Sequence, residues 1–534
     1  MQRRMLAVFC AFTALFSLLI LRIGELVSGE ELAETAQRQT QYTLTVETTR
    51  GSIYDTKMRK LTGGEKEYLV SVLPTAANIR RLSDDHRVLT PAEVITQKAS
   101  EGYPFLVRSK AVISNIPQAV TFGVEKRTAE DPAAVHIVGY TDAAQKGITG
   151  IEKAFDEYLA SAAEKTTVTY AVDALRQPLK GAKPEIRYAP KAVEGVVLTI
   201  DKRLQTICED IGSRYLKKGA VVLMEAKTGK LRACASFPLY DPSDLAAALR
   251  DTENAPLVNR AFSAYNLGSV FKTVVAAAML ECGGDPSAIY ECTGSVTVGD
   301  TVFRCAHRLG QGELDLNEAM AQSCNPYFIT QGLSVDPVRL RAIAADFSFG
   351  SRTVFTPGMA SAGGSLPSVE DLCKKGECAN FCFGQGLLTA TPVQAAQMMS
   401  GIANGGCVSY ASLIEGCTND GMLLAEKAAS GAAVRAVSQK TAERVKEALV
   451  YAVMESEDHP ARPQFTTAGG KTGTAQTGRY DENGKELLQG WFAGFFPAEE
   501  PKYVLVVLAE ESEGSTAASP VFREIADAIS KRNL

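Results

Sequence analysis

Histidine is scarce in this chain, and positive charge is not in excess. Four histidines are spread over 534 residues, and none stands near Cys373, Cys378 and Cys382. Those cysteines have four and three intervening residues and no matched second pair. They lack the ligand spacing of a structural zinc site and read as buried or loop thiols. Lysine and arginine number 56 against 61 acidic residues, a net charge of -5 with no basic stripe. That balance gives no support to nucleic-acid binding. No internal repeat or low-complexity tract appears.

Long apolar runs are limited to one. Met5 to Leu21 is an uncharged stretch of 17 residues after Arg3 and Arg4, just long enough to span a bilayer as a helix. A cleaved signal peptide would have a shorter apolar core ending in a small-x-small site. Here the run passes instead into Arg22-Ile23-Gly24-Glu25-Leu26. The reading is an uncleaved anchor with its basic end in the cytoplasm and the rest of the chain outside.

The remainder has the make-up of a large globular protein. At 46% hydrophobic and 22% charged residues it can bury substantial cores and is long enough for more than one domain. Cysteine is abundant. Of twelve, Cys10 lies in the apolar run, which leaves 11 outside and at least one thiol without an intramolecular partner.

Glu30 to Gln41 reads as a polar linker helix and Gln41 to Thr48 as a strand. Leu179 to Ala192, with Pro184 and Pro190, looks like a connection between domains. Beyond it the pattern is α+β. Val196–Ile200 and Ala220–Met224 read as strands, Leu204–Tyr215 as the helix between them, and Lys230–Ser236 as a return strand. Gly490–Phe496 and Tyr503–Leu508 are joined as a hairpin by Pro497 to Lys502, and Val521–Ser530 closes the chain as an amphipathic helix.

Three short motifs carry the chemistry: Ser269-Val270-Phe271-Lys272, Ser323-Cys324-Asn325 and Lys471-Thr472-Gly473-Thr474. A serine hydroxyl is a weak nucleophile until a base takes its proton, and a lysine in a desolvated, cation-rich setting can be that base. The i, i+3 spacing sets Lys272 one helical turn from Ser269 on the same face, and Val274 to Leu280 supplies the helix. Ser269 then sits at a helix N-terminus. Backbone N–H groups there, with one from the strand of Lys471 to Thr474, can stabilise an oxyanion. Singly, the motifs also read as a helix N-cap with a solvated lysine, a capped loop before Pro326 and a glycine turn feeding a strand. Their ordered set is what points to acyl transfer.

With these motifs the chain resembles the penicillin-binding proteins, in particular the monofunctional class B transpeptidases. The resemblance extends to Leu198-Thr199-Ile200-Asp201 with Gln205, Gly219-Ala220-Val221-Val222, Thr228-Gly229-Lys230, Tyr240-Asp241-Pro242 and Asn259-Arg260-Ala261. It continues through Gly384-Gln385-Gly386, Thr391-Pro392-Val393-Gln394 and Trp491-Phe492-Ala493-Gly494-Phe495. In the N-terminal third it rests on Arg50-Gly51-Ser52-Ile53-Tyr54-Asp55, His136-Ile137-Val138-Gly139-Tyr140 and Gly150-Ile151-Glu152-Lys153. The chain departs from the family at Leu267, where a proline is usual, and at Thr56-Lys57-Met58, where Arg-Asn-Gly is common.

The resemblance implies an anchor over residues 1–24, a non-catalytic pedestal of the dimerisation type over 25–190 and a transpeptidase domain over 191–534, its antiparallel sheet sandwiched by helices. It implies that Ser269 attacks the penultimate D-Ala of a peptidoglycan stem peptide and expels the terminal D-Ala, and that a neighbouring strand's amine then takes the acyl group. Lys272 is implied as base, Ser323 and Asn325 as proton relay and amide holders, and Lys471, Thr472, Gly473 and Thr474 as the carboxylate-binding strand. β-Lactams are expected to acylate Ser269, and no metal or organic cofactor is required.

The implied partners are the membrane and a separate membrane glycan polymerase, since no stretch resembles a glycosyltransferase. Alternatives on the same fold are a D,D-carboxypeptidase, a β-lactamase, or a β-lactam-binding scaffold or sensor. Cys292 and Cys305 flank a turn-rich stretch, and similar pairs occur in some relatives. A disulfide there is the expectation, worth roughly 3 kcal/mol.

Overall fold

The computed structural model describes the chain except residues 1, 29–39, 65, 143, 162, 174–178, 180, 191–193, 429–432 and 513. It has two compact units, one of residues 1–51, 63–127 and 160–192, the other of 52–62, 128–159 and 193–534. The chain thus crosses between the units repeatedly, where the sequence suggested one passage near residue 190. Strand pairing and apolar packing account for the interleaving. Ser52–Tyr54 pairs in parallel with Gly195–Leu198, and Ile53, Ile137, Ile151 and Leu159 are buried in the core of the larger unit.

In the smaller unit the first helix, Gln2–Ser28, contains one segment, Arg3–Glu25, long and apolar enough to cross a membrane. The expected linker helix from Glu30 lies outside the described residues up to position 39. Gln41–Thr48 is a strand with the expected bounds, paired with Lys165–Ala171. Glu185–Arg187 adds a third strand to that sheet, within the stretch expected to be a connection. A second sheet has Lys66–Val72 between Phe105–Ser109 and Val120–Glu125. Val70, Val72, Phe105 and Val107 meet Leu82 and Ile95 from helices Ala76–Ser83 and Ala92–Ser100 in one small core.

The larger unit is built on a five-stranded antiparallel sheet. We number its strands β1 (Gly219–Glu225), β2 (Leu231–Phe237), β3 (Gly469–Tyr480), β4 (Glu486–Phe496) and β5 (Tyr503–Ser512). The spatial order is β2-β1-β5-β4-β3. Successive side chains of a strand point to opposite faces, and here both faces are buried. Ala220, Val222, Met224, Val504, Val506 and Leu508 enter one core. Val221, Leu223, Tyr503, Leu505 and Val507 enter the other. This two-sided burial explains the near-continuous apolar runs.

The second core is closed by α1 (Lys202–Tyr215) and by the C-terminal helix Ser515–Lys531, through Leu204, Ile207, Ile211, Phe522 and Ile525. The first is filled by α2 (Lys272–Glu281), buried at every residue from Lys272 to Met279, and by Pro392–Ala403. A helix apolar all round belongs inside a core, and α2 is apolar from Val274 to Leu280, between Lys272 and Thr273 at its start and Glu281 at its end.

One strand differs from the sequence reading. The strand expected over Val196–Ile200 runs over Gly195–Leu198 and lies in a separate sheet with Ser52–Tyr54 and Ile414–Thr418. Its neighbourhood is fastened by Arg59, whose Nε donates to Asp55 Oδ2 at 2.7 Å and whose guanidinium reaches Asp201 Oδ1 at 2.6 Å.

Candidate active site

The turn ahead of α2 is shaped by glycine. Gly268–Phe271 forms a 3-10 turn that runs into α2. Gly268 has φ +60°, and a Cβ there would lie 2.7 Å from the Thr474 carbonyl oxygen on β3. Its N–H donates to Gly384 O at 2.9 Å. Gly473 comes equally close on the other side, its Cβ position 2.9 Å from Leu267 O. Trp491 Nε1, from β4, donates to Asn266 O at 2.9 Å. The turn is thereby held against the edge strand β3, with Ser269 on it, half-buried, one helical turn before Lys272.

Lys272 is fully buried. Its Nζ lies 2.7 Å from Ser323 O, 3.1 Å from Ser323 Oγ and 2.6 Å from Asn325 Oδ1. It also stands 5.6 Å above the Phe328 ring. Burial holds its pKa well below that of an ordinary lysine, and the like charge of Lys471 pushes the same way.

The partner loop is set by an unusual backbone. Ser323 adopts φ 54°, a left-handed conformation that costs a non-glycine residue about 1–2 kcal/mol. The bend is held by the Ser323 and Cys324 N–H groups, which donate to Met320 O at 3.3 Å and Ala319 O at 3.0 Å. Asn325 opens α3 (Asn325–Ser334), and its Nδ2 donates to Arg304 O at 3.3 Å. Both functional side chains of this motif are therefore turned toward Lys272.

On β3, Lys471 is buried, and burial lowers its pKa to about 7. Its Nζ donates to Thr472 Oγ1 at 3.3 Å. Thr474 is exposed, so β3 presents alternating buried and accessible positions beside the Ser269 turn. Ser269, Lys272, Ser323, Asn325 and Lys471 to Thr474 are all in this one place. The Lys272 hydrogen bonds go to Ser323 and Asn325 rather than to Ser269. The clamps Gly384 and Trp491 stand in stretches that the sequence had singled out, but without this role. The sole tryptophan, on a strand and followed by Phe-Ala-Gly, was the available signal.

The cysteines correct one expectation. Cys292 and Cys305 are thiols, not a disulfide, and a third thiol, Cys324, lies with them. The three sulfurs are within 4.8 Å of one another. The sequence pointed to a pair because Cys324 is hidden between Ser323 and Asn325 and joins the cluster only through the fold. Of the other group, Cys378 and Cys382 are buried and Cys373 is exposed.

A family model described as the penicillin binding protein transpeptidase domain matches residues 219–527. Stage V sporulation protein D of Bacillus subtilis is 27% identical, the match covering 98% of this chain and 85% of that protein. The peptidoglycan D,D-transpeptidase PbpA of Mycolicibacterium smegmatis is 31% identical over 57% of this chain and 66% of its own length. Among solved structures, the D,D-transpeptidase domain of a peptidoglycan glycosyltransferase from Eggerthella lenta matches with TM-score 0.66 at 24% identity, covering 90% of this chain and 98% of that one. Penicillin-binding protein PBP2 of Helicobacter pylori, solved in complex with MreC, matches with TM-score 0.67 at 22% identity, over 92% of this chain and 98% of that one. Both show a shared fold.

Proposed function

The chain belongs to the penicillin-binding protein transpeptidase family, and from that premise we propose that it is a serine-type peptidoglycan D,D-transpeptidase in which Ser269 is the acylated nucleophile. The observation that carries the reading is the buried Lys272 amine held by Ser323 and Asn325 behind the Ser269 turn. A neutral amine has two N–H donors and one lone pair. Ser323 O and Asn325 Oδ1 can only accept from it in this setting, while the Ser323 hydroxyl can donate as well as accept. The set therefore suits a neutral lysine that takes the Ser269 proton and exchanges it through Ser323 with the leaving amine.

Acylation begins with attack of Ser269 Oγ on the carbonyl carbon of the penultimate D-Ala. The oxyanion develops beside the N–H groups of Ser269 and Thr474, where a helix start and an edge strand converge. The terminal D-Ala leaves as its amine gains a proton. Attack by a neighbouring stem peptide's amine then regenerates Ser269 and forms the cross-link. Lys471 supplies positive potential, Gly473 lets β3 approach the turn, and Thr472 and Thr474 bind the terminal carboxylate. β-Lactams enter by the same route, since they present a strained carbonyl and a carboxylate in the same relation. The first helix anchors the protein in the membrane, with the chain that follows it on the outer side. The Helicobacter pylori relative is held with MreC, and this chain has protein partners of the same kind, among them a membrane glycan polymerase.

The test is intact-mass and peptide analysis of the full chain after incubation with a penicillin, beside Ser269→Ala. A stable adduct on Ser269 that is absent from the variant supports the reading. Lactam consumption without an adduct would point to a hydrolase. Adding an amine acceptor to a D-Ala-D-Ala peptide assay distinguishes transpeptidation from the D,D-carboxypeptidase alternative, in which water takes the acyl group.

A further inference from the structure

We propose that Cys292, Cys305 and Cys324 together form a binding site for a thiophilic d10 cation, zinc or cuprous copper. Their sulfurs lie within 4.8 Å of one another, and all three residues are buried. Zinc–sulfur bonds of about 2.3 Å in tetrahedral array place sulfurs about 3.8 Å apart, so closing the triangle needs shifts of roughly 1 Å or less. The residues come from three separate segments: Cys292 from the strand Tyr290–Cys292, Cys305 just after Thr301–Arg304, and Cys324 at the start of α3.

The cluster is also held by backbone hydrogen bonds. Gln311 N–H donates to Cys292 O at 3.0 Å, and Cys305 N–H donates to Gly294 O at 2.9 Å. These bonds hold the backbone that carries two of the three sulfurs. Among the described residues no further His, Asp, Glu or Cys joins the group, so three protein ligands and one open position suit a three-coordinate cuprous ion or a zinc that keeps a water.

Binding is a proton-for-metal exchange with no change in oxidation state. Three S–H bonds break, three metal–sulfur bonds form, and three protons go to solvent. Its consequence lies at the active site. Cys324 sits between Ser323 and Asn325, and Asn325 Nδ2 bonds to Arg304 O next to Cys305. A bound cation would therefore tie the loop that holds Lys272 to the strand segment before it. Binding itself does not depend on the acyl-transfer reading.

The experiment uses the full chain in detergent micelles, reduced and stripped of metal under anaerobic conditions. Zinc and cuprous ions are titrated separately against chelators of known affinity. Uptake of about one equivalent of either ion, with a rise in melting temperature, is expected, and comparison of the two arms identifies the preferred ion. Uptake should be lost in Cys305→Ser and kept in Cys373→Ser. Alkylation followed by peptide mapping of the unmutated chain gives a readout that needs no variant. The bound ion should slow alkylation of Cys292, Cys305 and Cys324 by about tenfold or more, leaving Cys373 unchanged. No uptake of either ion by reduced protein, or alkylation that the ions do not slow at these three residues, would overturn the proposal. So would a Cys292–Cys305 disulfide in place of metal when the protein is re-isolated from cells under thiol-trapping conditions.

Discussion

Replacing Lys272 by methionine separates its chemical from its packing role. The side chain is fully buried and all of its polar contacts are made by Nζ. Methionine keeps the stem volume and the contact with Phe328 while removing the nitrogen. Three oxygens then lose a partner, and an acceptor left unsatisfied in the interior costs about 1–3 kcal/mol. Two effects offset this: Ser323 and Asn325 are only half-buried, so water can replace the amine, and a desolvated amine no longer has to be kept. The expected stability change is within about 2 kcal/mol. The rate should behave otherwise. Loss of a positioned base lowers it by about 10²–10⁴-fold, or roughly 3–5 kcal/mol of barrier. Lys272→Ala should lose as much rate and in addition destabilise by about 2–5 kcal/mol through its cavity. The assay is the second-order constant for labelling by a fluorescent penicillin, with thermal melting of each protein alongside. A folded Lys272→Met that labels within about threefold of the parent would refute the base assignment.

Gly268→Ala should slow penicillin labelling and destabilise by about 2 kcal/mol or more, because its Cβ would meet the Thr474 carbonyl at 2.7 Å in a left-handed backbone; parent-like labelling and melting would remove Gly268 from the site's architecture. Met58 adopts φ 59° in a turn closed by Asp55, whose Oδ1 accepts from the Lys57 and Arg59 N–H groups. Met58→Gly is therefore expected to stabilise by roughly 1 kcal/mol in denaturant unfolding, and a loss of stability would show that the side chain's contacts outweigh the strain. Glu209 is buried in α1, accepts from Gln205 Nε2 and the Ala134 N–H, and has its pKa raised by burial from 4.5 to about 7. Between those values the folded state keeps a proton that the unfolded state releases, so stability is full below pH 4.5 and falls by up to about 3 kcal/mol as pH rises through about 7. Melting curves of Glu209→Gln should lack this decline, and parallel profiles for variant and parent would contradict it.

The parts of the fold that depend on local pattern were legible in the sequence. The strand Gln41–Thr48 alternates, the hairpin of β4 and β5 has a clear break at Pro497 to Lys502, and α1 and the C-terminal helix carry amphipathic spacing. What depends on distant pairing was not. The run of Gly195–Leu198 is apolar enough to sit in the main sheet, and nothing local says that its neighbours are Ser52–Tyr54 and Ile414–Thr418. The same holds for Glu185–Arg187, where two flanking prolines suggested a connection but three residues suffice for an edge strand. Met58 shows that a left-handed turn position need not be marked by glycine in the sequence. Met58 adopts φ 59° at a position where the family commonly has glycine.

At the site, the motifs named the groups proposed to react but not what holds them. A lysine at the start of a buried helix, a serine in a left-handed bend and a second lysine buried on the edge strand are each unfavourable alone. Each is stabilised by a neighbour: the Lys272 amine by Ser323 and Asn325, the Ser323 bend by Met320 and Ala319, and the Lys471 amine by Thr472 Oγ1. Local propensity would place all three otherwise, and the surrounding core overrides it. That conflict between local preference and observed conformation is itself a mark of function. It is concentrated where Lys272 and Lys471 are both buried and both shifted toward the neutral form. Two lysines desolvated side by side add nothing to stability that apolar residues would not exceed. On the proposed reading, Lys272 is kept as the amine that takes the Ser269 proton, and Lys471 as the source of positive potential on the strand proposed to bind the terminal carboxylate.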